Sequence, residues 1–503
     1  MNRTKPLSGE LLRLKEEIHQ YAVDYGLDFY PVIFEVCNYD TVCILAAQGG
    51  FPSRYPHWRF GMDYDQLSKG NIYGFQKIYE LVINTDPCYA YLLNSNRIVD
   101  QKLVMAHVYG HADFFKNNAW FASTDKKMMD VMANHGTKIR RYMERYGQDR
   151  VEIFIDKVLS IENLLDVNTL FNTPQIERNR QKFAQMQEDE KHLDQDDGRS
   201  SSLRSFMKSN LRGKDQAPAV PKQIEDLLPA REIDQRYSGT RDIMKFLMDV
   251  APLQEWEADI IGILREEAYY FLPQRMTKIM NEGWASYWHS KIMTQKACKS
   301  SEIIDFADVH SGVMGMSRQN INPYKIGIEL FRDIEHRWDT GKFGKDYQEC
   351  TDMAVKEAWN RETNLGRQKI FEVRKSHNDI TFIDEFFTEE FCERQQLFTY
   401  KFNPRTGRNE IDSREFQTIK QKILAGLTNF GTPLIQVKTA NDQNRSELLL
   451  EHVHQGVDLD GGYAGDTLRN IFALWKRPVN LETIQEGKKL IYTFDGRELK
   501  TRT

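Results

Sequence analysis

The stretch VMAHVYGHADFFKNN, residues 104–118, places His107 and His111 four positions apart within a run of apolar residues. Residues four apart share one face of a helix, so the two imidazole rings can reach the same metal ion. Val104 and Phe114 lie on that face too, which makes it a buried stripe rather than a solvated one. The pattern leaves two interpretations open: a metal-binding helix, or two core histidines that hydrogen-bond to their neighbours.

A general base is missing from the usual position beside this pair. Zinc-peptidase helices of the H-E-x-x-H type have the same spacing, with a glutamate directly after the first histidine as the base. Here Val108 follows the first histidine, and Glu266 and Glu267 are the carboxylates that could replace the base. Because a metal lowers the pKa of its bound water by itself, the missing glutamate weakens turnover more than metal binding.

The segment PQRMTKIMNEGWASYWHSKIM, residues 273–293, offers a third metal ligand. One family of zincins takes its third ligand from an Asn-Glu-Gly-aromatic-Ala helix downstream of the histidine pair, and Glu282 occupies the glutamate of that pattern. Two imidazoles and one carboxylate leave the fourth position of zinc to water. The alternative interpretation of Glu282 is a solvated or helix-capping carboxylate.

His289 lies seven residues beyond Glu282, about 10.5 Å along the helix axis at 1.5 Å per residue. We therefore expect it to be a catalytic proton donor or a partner of the ligands rather than a ligand, unless it is only a packed histidine. Trp284, Asn117 and Asn118 are the candidate substrate-binding residues. Helix termination explains the two asparagines equally well.

The strand candidate YELVINTDP, residues 79–87, precedes the histidine helix. Strand followed by histidine helix is the order of elements in zincins. The exposed edge of such a strand can hold an extended peptide by backbone hydrogen bonds.

The composition is that of an ordinary globular protein, with 40% hydrophobic and 28% charged residues in 503. The 68 basic and 73 acidic residues give a net charge of −5, which provides no positive footprint for nucleic acid or an anionic membrane. No segment approaches the roughly 20 apolar residues of a membrane span. The six cysteines include no C-x-x-C pair, so we expect reduced thiols in a cytoplasmic protein.

Changes in composition, charge density and hydrophobic periodicity along the chain predict four regions. Together they indicate an α+β, predominantly helical fold: a zincin-like helical domain with a small sheet, followed by a C-terminal α+β domain. The regions are the N-terminal part of the zincin-like domain with the HxxxH helix at 1–175, a charged flexible insertion at 176–235, a helical part with the NEGWA segment at 236–380, and the C-terminal domain at 381–503. We also expect Pro273 to interrupt the helical stretch that surrounds it.

Several long segments carry a resemblance to a known family. In chain order they are YPHWRFG (55–61), INTDPCYAYL (83–92), MAHVYGHADFFKNN (105–118), YFLPQRMTKIMNEGWASYWHSKI (270–292), NPYKIGIELFRDIEHRW (322–338) and LWKRPVNLET (474–483). Together they resemble the SpoVR family, that is, stage V sporulation protein R and its relatives. The resemblance spans nearly the whole chain apart from the charged insertion.

The resemblance implies a process rather than a reaction. It implies a cytoplasmic bacterial protein that is linked to spore cortex formation in spore formers and to a stress response in other bacteria. It also implies that the protein works alongside a serine protein kinase and a third protein of the same pathway.

The residues add a hypothesis about chemistry. We expect a zinc-dependent hydrolase or transferase in which His107, His111 and Glu282 hold the metal, acting on an amide bond of a peptide or cell-wall precursor. The rival hypothesis is a non-catalytic, metal-stabilised scaffold or binding protein for partners in spore assembly or stress response. A third is a helical scaffold whose core histidines bind no metal.

Overall fold

The computed structural model describes residues 4–72, 80–171, 233, 236–315 and 321–503. The chain forms two compact units, one from residues 1–148 with 269–432 and the other from 149–268 with 433–503. The first unit is thus built from two separate stretches of the chain. The charged insertion predicted at 176–235 lies outside the described residues, apart from the single residue Ile233.

The fold is α+β and predominantly helical, as predicted, while the zincin-like architecture stays a prediction. The α-helices of the first unit are α1 (Gly9–Asp24), α2 (Tyr39–Ala47), α3 (Trp58–Ile72), α4 (Ile98–Asn117), α5 (Met128–Tyr146), α9 (Lys278–Ile292), α10 (Ile303–Val313), α11 (Pro323–Thr340), α12 (Gly344–Gln348), α13 (Met353–Glu357), α14 (Gly366–Ser376), α15 (Asp379–Phe386), α16 (Glu389–Arg394) and α17 (Phe416–Leu427). The described helices that lie wholly or mostly in the second unit are α6 (Gln148–Leu159), α7 (Ile243–Val250), α8 (Glu255–Met276) and α18 (Gly461–Trp475).

The strands of a small sheet precede the histidine helix along the chain of the first unit. Its strands are β1 (Thr4–Pro6), β2 (Val32–Cys37), β3 (Glu80–Ile83) and β4 (Cys88–Leu93), in the order β1-β2-β4-β3. Strands β2 and β4 are parallel, and the other two pairs are antiparallel. The expected order of strand and histidine helix is confirmed, with β4 as the strand that leads into α4. A separate hairpin is formed by β5 (Thr399–Asn403) and β6 (Arg408–Ser413).

Helix α4 is buried on every side rather than along one stripe. Every residue from Val99 to Phe115 is buried, which is the pattern of a helix at the centre of a large core. Helices α1, α9 and α10 pack against it. The histidine pair therefore lies in the interior of the unit.

Helix α9 lies between α4 and α11, and small residues permit close contact on both sides. A Cβ atom added to Gly110 would lie 2.7 Å from the Cα atom of Ala285, and one added to Gly283 would lie 2.4 Å from the Cα atom of Gly327. Both distances are far below van der Waals contact. The glycines of HVYGH and NEGWA are thus required where helix backbones touch.

The second unit contains a five-stranded sheet with a helix on it. The strands are β7 (Ile435–Asp442), β8 (Glu447–His452), β9 (Val479–Gln485), β10 (Lys488–Phe494) and β11 (Leu499–Arg502), in the order β11-β10-β9-β8-β7. Strands β8 and β9 are parallel, and α18 is the crossover between them. The C-terminal α+β domain predicted at 381–503 overlaps this unit from residue 433 onwards.

Pro273 does not interrupt the helix that contains it, so that expectation is wrong. Helix α8 continues through Pro273 to Met276, although proline removes one backbone hydrogen bond of the ladder. The helix ends one turn later, where the Thr277 hydroxyl donates to the Pro273 carbonyl at 2.7 Å. Within the described ranges, no helix combines the length and apolar character that crossing a membrane requires.

Candidate metal centre

The structure brings together the three residues that the sequence proposes as metal ligands. His107 and His111 project from α4, and Glu282 projects from the facing helix α9. One nitrogen or oxygen atom of each residue lies within 4.8 Å of the corresponding atom of the other two. Both histidines are buried, and the glutamate side chain is 16% exposed, so the cluster sits below the surface.

The spacing inside the cluster suits a tetrahedral metal ion. The Oε2 atom of Glu282 lies 3.5 Å from Nε2 of His107 and 3.5 Å from Nε2 of His111. Charge-assisted hydrogen bonds are shorter, about 2.7–2.9 Å. Two ligand atoms about 2.1 Å from a tetrahedral zinc ion are separated by about 3.4 Å. The donor set of two imidazoles and one carboxylate therefore fits zinc in chemistry and in spacing.

The ring nitrogen of each histidine that faces away from Glu282, Nδ1, contacts a neighbouring side chain. The Nδ1 atom of His111 donates to the amide Oδ1 of Asn281 at 2.9 Å, which leaves the lone pair of this ring on Nε2, facing Glu282. The Nδ1 atoms of His107 and His289 are 2.8 Å apart, and Nε2 of His289 is 3.1 Å from Nδ1 of His310. Such outer hydrogen bonds fix the tautomer and orientation of metal-binding histidines.

The charge states of the cluster follow from its surroundings. Burial raises the pKa of Glu282, but the two imidazole rings of His107 and His111 beside the carboxylate outweigh this effect, and the pKa lies well below its usual range. Burial, with the neighbouring His107, His310 and Arg332, lowers the pKa of His289 well below its usual value. The carboxylate is therefore ionised and the His289 ring neutral at neutral pH.

A buried carboxylate joins the helices that carry the ligands. Asp113 of α4 is fully buried and accepts hydrogen bonds from the Trp284 indole at 2.8 Å and from the Asp28 backbone at 2.8 Å. Arg374 of α14 forms an ion pair with it at 3.0 Å. Burial raises the pKa of Asp113 to about 6, with Arg374 acting against the rise. The network connects α4, α9 and α14 directly behind the cluster.

Asp379 holds the first turn of the helix that carries Glu282. Its two carboxylate oxygens accept from the backbone N–H groups of Ile279 at 2.8 Å and of Met280 at 2.9 Å. Because the first N–H groups of a helix have no partner within the helix, this carboxylate satisfies two of them. Asp379 comes from α15, about one hundred residues further along the chain.

The buried carboxyl of Asp379 predicts a pH dependence of stability. Burial raises its pKa from 3.8 to about 7, against the lowering effect of the backbone hydrogen bonds. Between about pH 4 and pH 7 the folded chain thus keeps a proton that the unfolded chain has lost, and the free energy of unfolding falls as the pH rises. Asp379→Asn removes this contribution. Urea unfolding in buffer that contains a chelator measures the free energy of unfolding of both proteins. We expect the wild-type value minus the variant value to decrease as the pH rises. A difference that stays constant with pH would contradict the prediction.

The predicted substrate-binding residues have their polar groups directed at other parts of the protein. The Trp284 indole donates to Asp113, as described above. Asn117 donates to the backbone carbonyls of Asp28 and Asp113, at 2.6 and 2.8 Å. The buried Asn118 accepts from the backbone of Trp120, and it donates to the carbonyls of Arg374, in the last turn of α14, and of His377, just after that helix. Of the two interpretations of these asparagines, the contacts are those of helix termination.

A buried aliphatic residue occupies the position that the general base has in H-E-x-x-H helices. Val108, which follows the first histidine, is fully buried. The sequence-based substitutes Glu266 and Glu267 belong to the second unit, whereas the cluster belongs to the first. His289 contacts the cluster through the ring of His107, and its role as a proton donor or as a partner of the ligands stays a prediction.

Sequence reasoning missed three residues that shape the cluster. Asn281 orients His111, His310 extends the contact of His289, and Asp379 caps the helix of Glu282. The position of Asn281 next to Glu282 is the one signal that could have identified it. The partners of His310 and Asp379 are set by the tertiary fold, which the local pattern does not reveal.

The chain is similar to one described protein family along most of its length. A family model described as "SpoVR like protein" matches residues 7–432, and one described as "SpoVR-like C-terminal domain" matches residues 433–486. The Escherichia coli (strain K12) protein named "Uncharacterized protein YcgB" is 28% identical over 502 residues, which cover 93% of this chain and 91% of that protein. No solved structure shows a significant match.

Proposed function

The chain belongs to the SpoVR family, a sporulation-related family, and on that premise we propose that it is a metal-dependent hydrolase or transferase. Its substrate is an amide bond in a peptide or cell-wall precursor, and its metal is zinc. One observation carries the proposal: the Glu282 carboxylate lies 3.5 Å from Nε2 of both His107 and His111, in the interior of the unit. The arrangement retains the donor set of a zincin-like centre.

The residues of the chain divide the work in this proposal. When bound, zinc supplies Lewis-acid polarisation of a carbonyl oxygen. His107, His111 and Glu282 hold the metal, and the single negative charge of Glu282 leaves the centre with net positive charge. Asn281 orients His111, while His289 accepts from Nδ1 of His107 and keeps the Nε2 lone pair of that ring directed at the cluster.

The closed base position favours transfer to a nucleophile other than water. Because Val108 places a buried methyl surface where a glutamate would act, a basic group of the substrate has to remove the proton of the nucleophile. We place this activity in spore cortex formation, or in a stress response in bacteria that do not sporulate. A serine protein kinase and a third protein of the same pathway are the proposed partners, and the cytoplasm is the proposed location.

The same closed position supports a second candidate function. A metal held without a base would stabilise the unit and keep its surfaces in place for binding partners. Under that hypothesis the metal adds stability by mass action, about 2.7 kcal/mol when its free concentration is 100 times the dissociation constant, and no substrate is turned over.

Elemental analysis of the purified protein tests the metal. We expect about one zinc per chain in wild type and in Glu385→Gln, a control at a half-exposed glutamate of the same unit. We expect much less in Glu282→Gln and His107→Ala. Equal zinc contents in all four proteins would refute the metal centre.

Mass spectrometry separates the two functions once the metal is established. Wild type and Glu282→Gln are incubated with peptide and muropeptide mixtures. Products that form with wild type alone support the enzyme. If neither protein changes any substrate while chelation lowers the melting temperature of wild type only, the scaffold function replaces it.

The outer partner of His111 gives a further expected result. Asn281→Ala removes the acceptor that orients the ring, and loss of such a partner weakens metal affinity by about 10- to 100-fold. Ser286→Ala, at a fully buried position of the same helix, is expected to leave affinity near the wild-type value. Competition with a zinc-chelating dye measures both. Equal affinity of wild type and Asn281→Ala would show that the contact has no role in holding the metal.

A further inference from the structure

The second unit contains a cavity that the proposed metal centre does not use. Its volume is about 380 Å³, and it lies between one face of the five-stranded sheet and α18, with the residues after α6 at its side. Protein interiors are close-packed, and voids much larger than a water molecule are few. A concave space of this size within one unit falls in the range of small-molecule sites.

The floor and walls of the cavity are aliphatic. Leu450 of β8 and Leu481 of β9 stand side by side on the sheet. Leu468 and Ile471 of α18 face them across the cavity, and all four residues are at most 5% exposed. Small-molecule sites of about 300–1,000 Å³ have this character, with an apolar body and a few polar groups that fix orientation.

A few polar side chains line the cavity, and one of them carries a carboxylate. Asn163 offers an amide, Thr467 offers a hydroxyl, and Asp460 offers its negative charge. The Oδ1 atom of Asp460 caps α18 by accepting from the backbone of Gly462 and Tyr463, at 2.8 and 3.0 Å. Among the described residues that line the cavity, none is basic.

We propose that this cavity binds a small molecule with an aliphatic body and a neutral or cationic head group. The aliphatic walls accept the body, since they remove apolar surface from water. Asp460 favours a head that donates hydrogen bonds or carries positive charge, and it repels a carboxylate. The exposed Tyr463 ring stands at the cavity and covers part of the ligand. The inference is independent of the metal centre, which lies in the other unit.

Isothermal titration calorimetry of the full chain tests the proposal with three probes of equal chain length. The probes are 1-octanol, 1-aminooctane and octanoate. We expect 1-octanol and 1-aminooctane to bind and octanoate to bind roughly tenfold more weakly, because of its charge repulsion with Asp460. Absence of binding by all three, or tighter binding of octanoate, would overturn the proposal.

Two variants locate the site. Asp460→Asn keeps an equally good helix cap and is expected to bring octanoate close to 1-octanol in affinity. Ala464→Phe fills the cavity and is expected to abolish binding, whereas Ala473→Phe on the same helix, outside the lining, keeps it. Circular dichroism checks that both phenylalanine variants are folded. If Ala464→Phe fails to fold, the head-group preference in Asp460→Asn decides, and an unchanged preference there would overturn the assignment.

Discussion

Gly283→Ala is expected to destabilise the first unit by about 3 kcal/mol, the upper end of the usual cost of overpacking. The added methyl group would lie 2.4 Å from the Cα atom of Gly327 in α11. A backbone atom of a packed helix cannot turn aside as the end of a flexible side chain can, so α9 and α11 must move apart. Urea denaturation, followed by circular dichroism, measures the loss in the free energy of unfolding.

Gly312→Ala is the matched control for this prediction. Gly312 also lies in a helix of the first unit, but a Cβ atom added there meets nothing within 4 Å. Alanine in an open helical position is expected to stabilise by about 0.5–1 kcal/mol, because glycine loses more conformational freedom on folding. If both substitutions raise stability, the backbones of α9 and α11 do not touch as described.

The same substitution has a consequence for the proposed metal centre. Glu282 precedes Gly283 directly, so a displacement of α9 moves the carboxylate away from the two imidazoles of α4. We therefore expect Gly283→Ala to lose zinc affinity together with stability, although it alters no proposed ligand. Gly312→Ala is expected to retain the metal.

Removal of the Asp113 carboxylate is expected to cost about 3–5 kcal/mol, the typical effect of breaking a buried ion pair from one side. Asp113→Leu leaves the Arg374 guanidinium, which is 8% exposed, without its partner. It also removes the acceptors of the Trp284 indole and the Asp28 backbone. Chemical denaturation at neutral pH measures the loss.

Two further variants show whether the loss of stability comes from the buried ion pair. The pair of Arg361 with Asp346 has almost the same length, 3.1 Å, but its side chains are more than half exposed, and Asp346→Leu is expected to cost less than about 1 kcal/mol. The double variant Asp113→Leu with Arg374→Met is expected to be more stable than the single Asp113→Leu, because no uncompensated charge remains. A cost for Asp113→Leu as small as that at the surface would contradict the role of this network.

The parts of the centre that were predictable from the sequence depend on local spacing. His107 and His111 are four apart, and helix geometry alone places their rings together. Glu282 was found because its neighbours form a recognisable pattern, and His289 was excluded as a ligand by the rise of the helix. The histidine pair and the exclusion of His289 need only the geometry of one helix, whereas Glu282 rests on the likeness of its segment to a zincin pattern.

The parts that were not predictable depend on contacts between distant segments. Asn281 contacts a ring 170 residues away, and Asp379 caps a helix from another helix, which no local period encodes. Gly110 is required by Ala285 of another helix, whose Cα atom would lie 2.7 Å from an added Cβ atom, and no local pattern indicates this contact. The two asparagines after the histidine helix remained open at the sequence level, because a carboxamide serves a helix end and a ligand equally well.

The division of the first unit into two stretches of chain sets an order of events during protein synthesis. The two histidines leave the ribosome with the first stretch, but Glu282 follows only after residues 149–268, which fold into the other unit, have been translated. A nascent chain that ends before α9 thus exposes two imidazoles with no carboxylate to complete them. At the proposed metal centre, an ion can therefore be held by all three residues only after α9 has been translated.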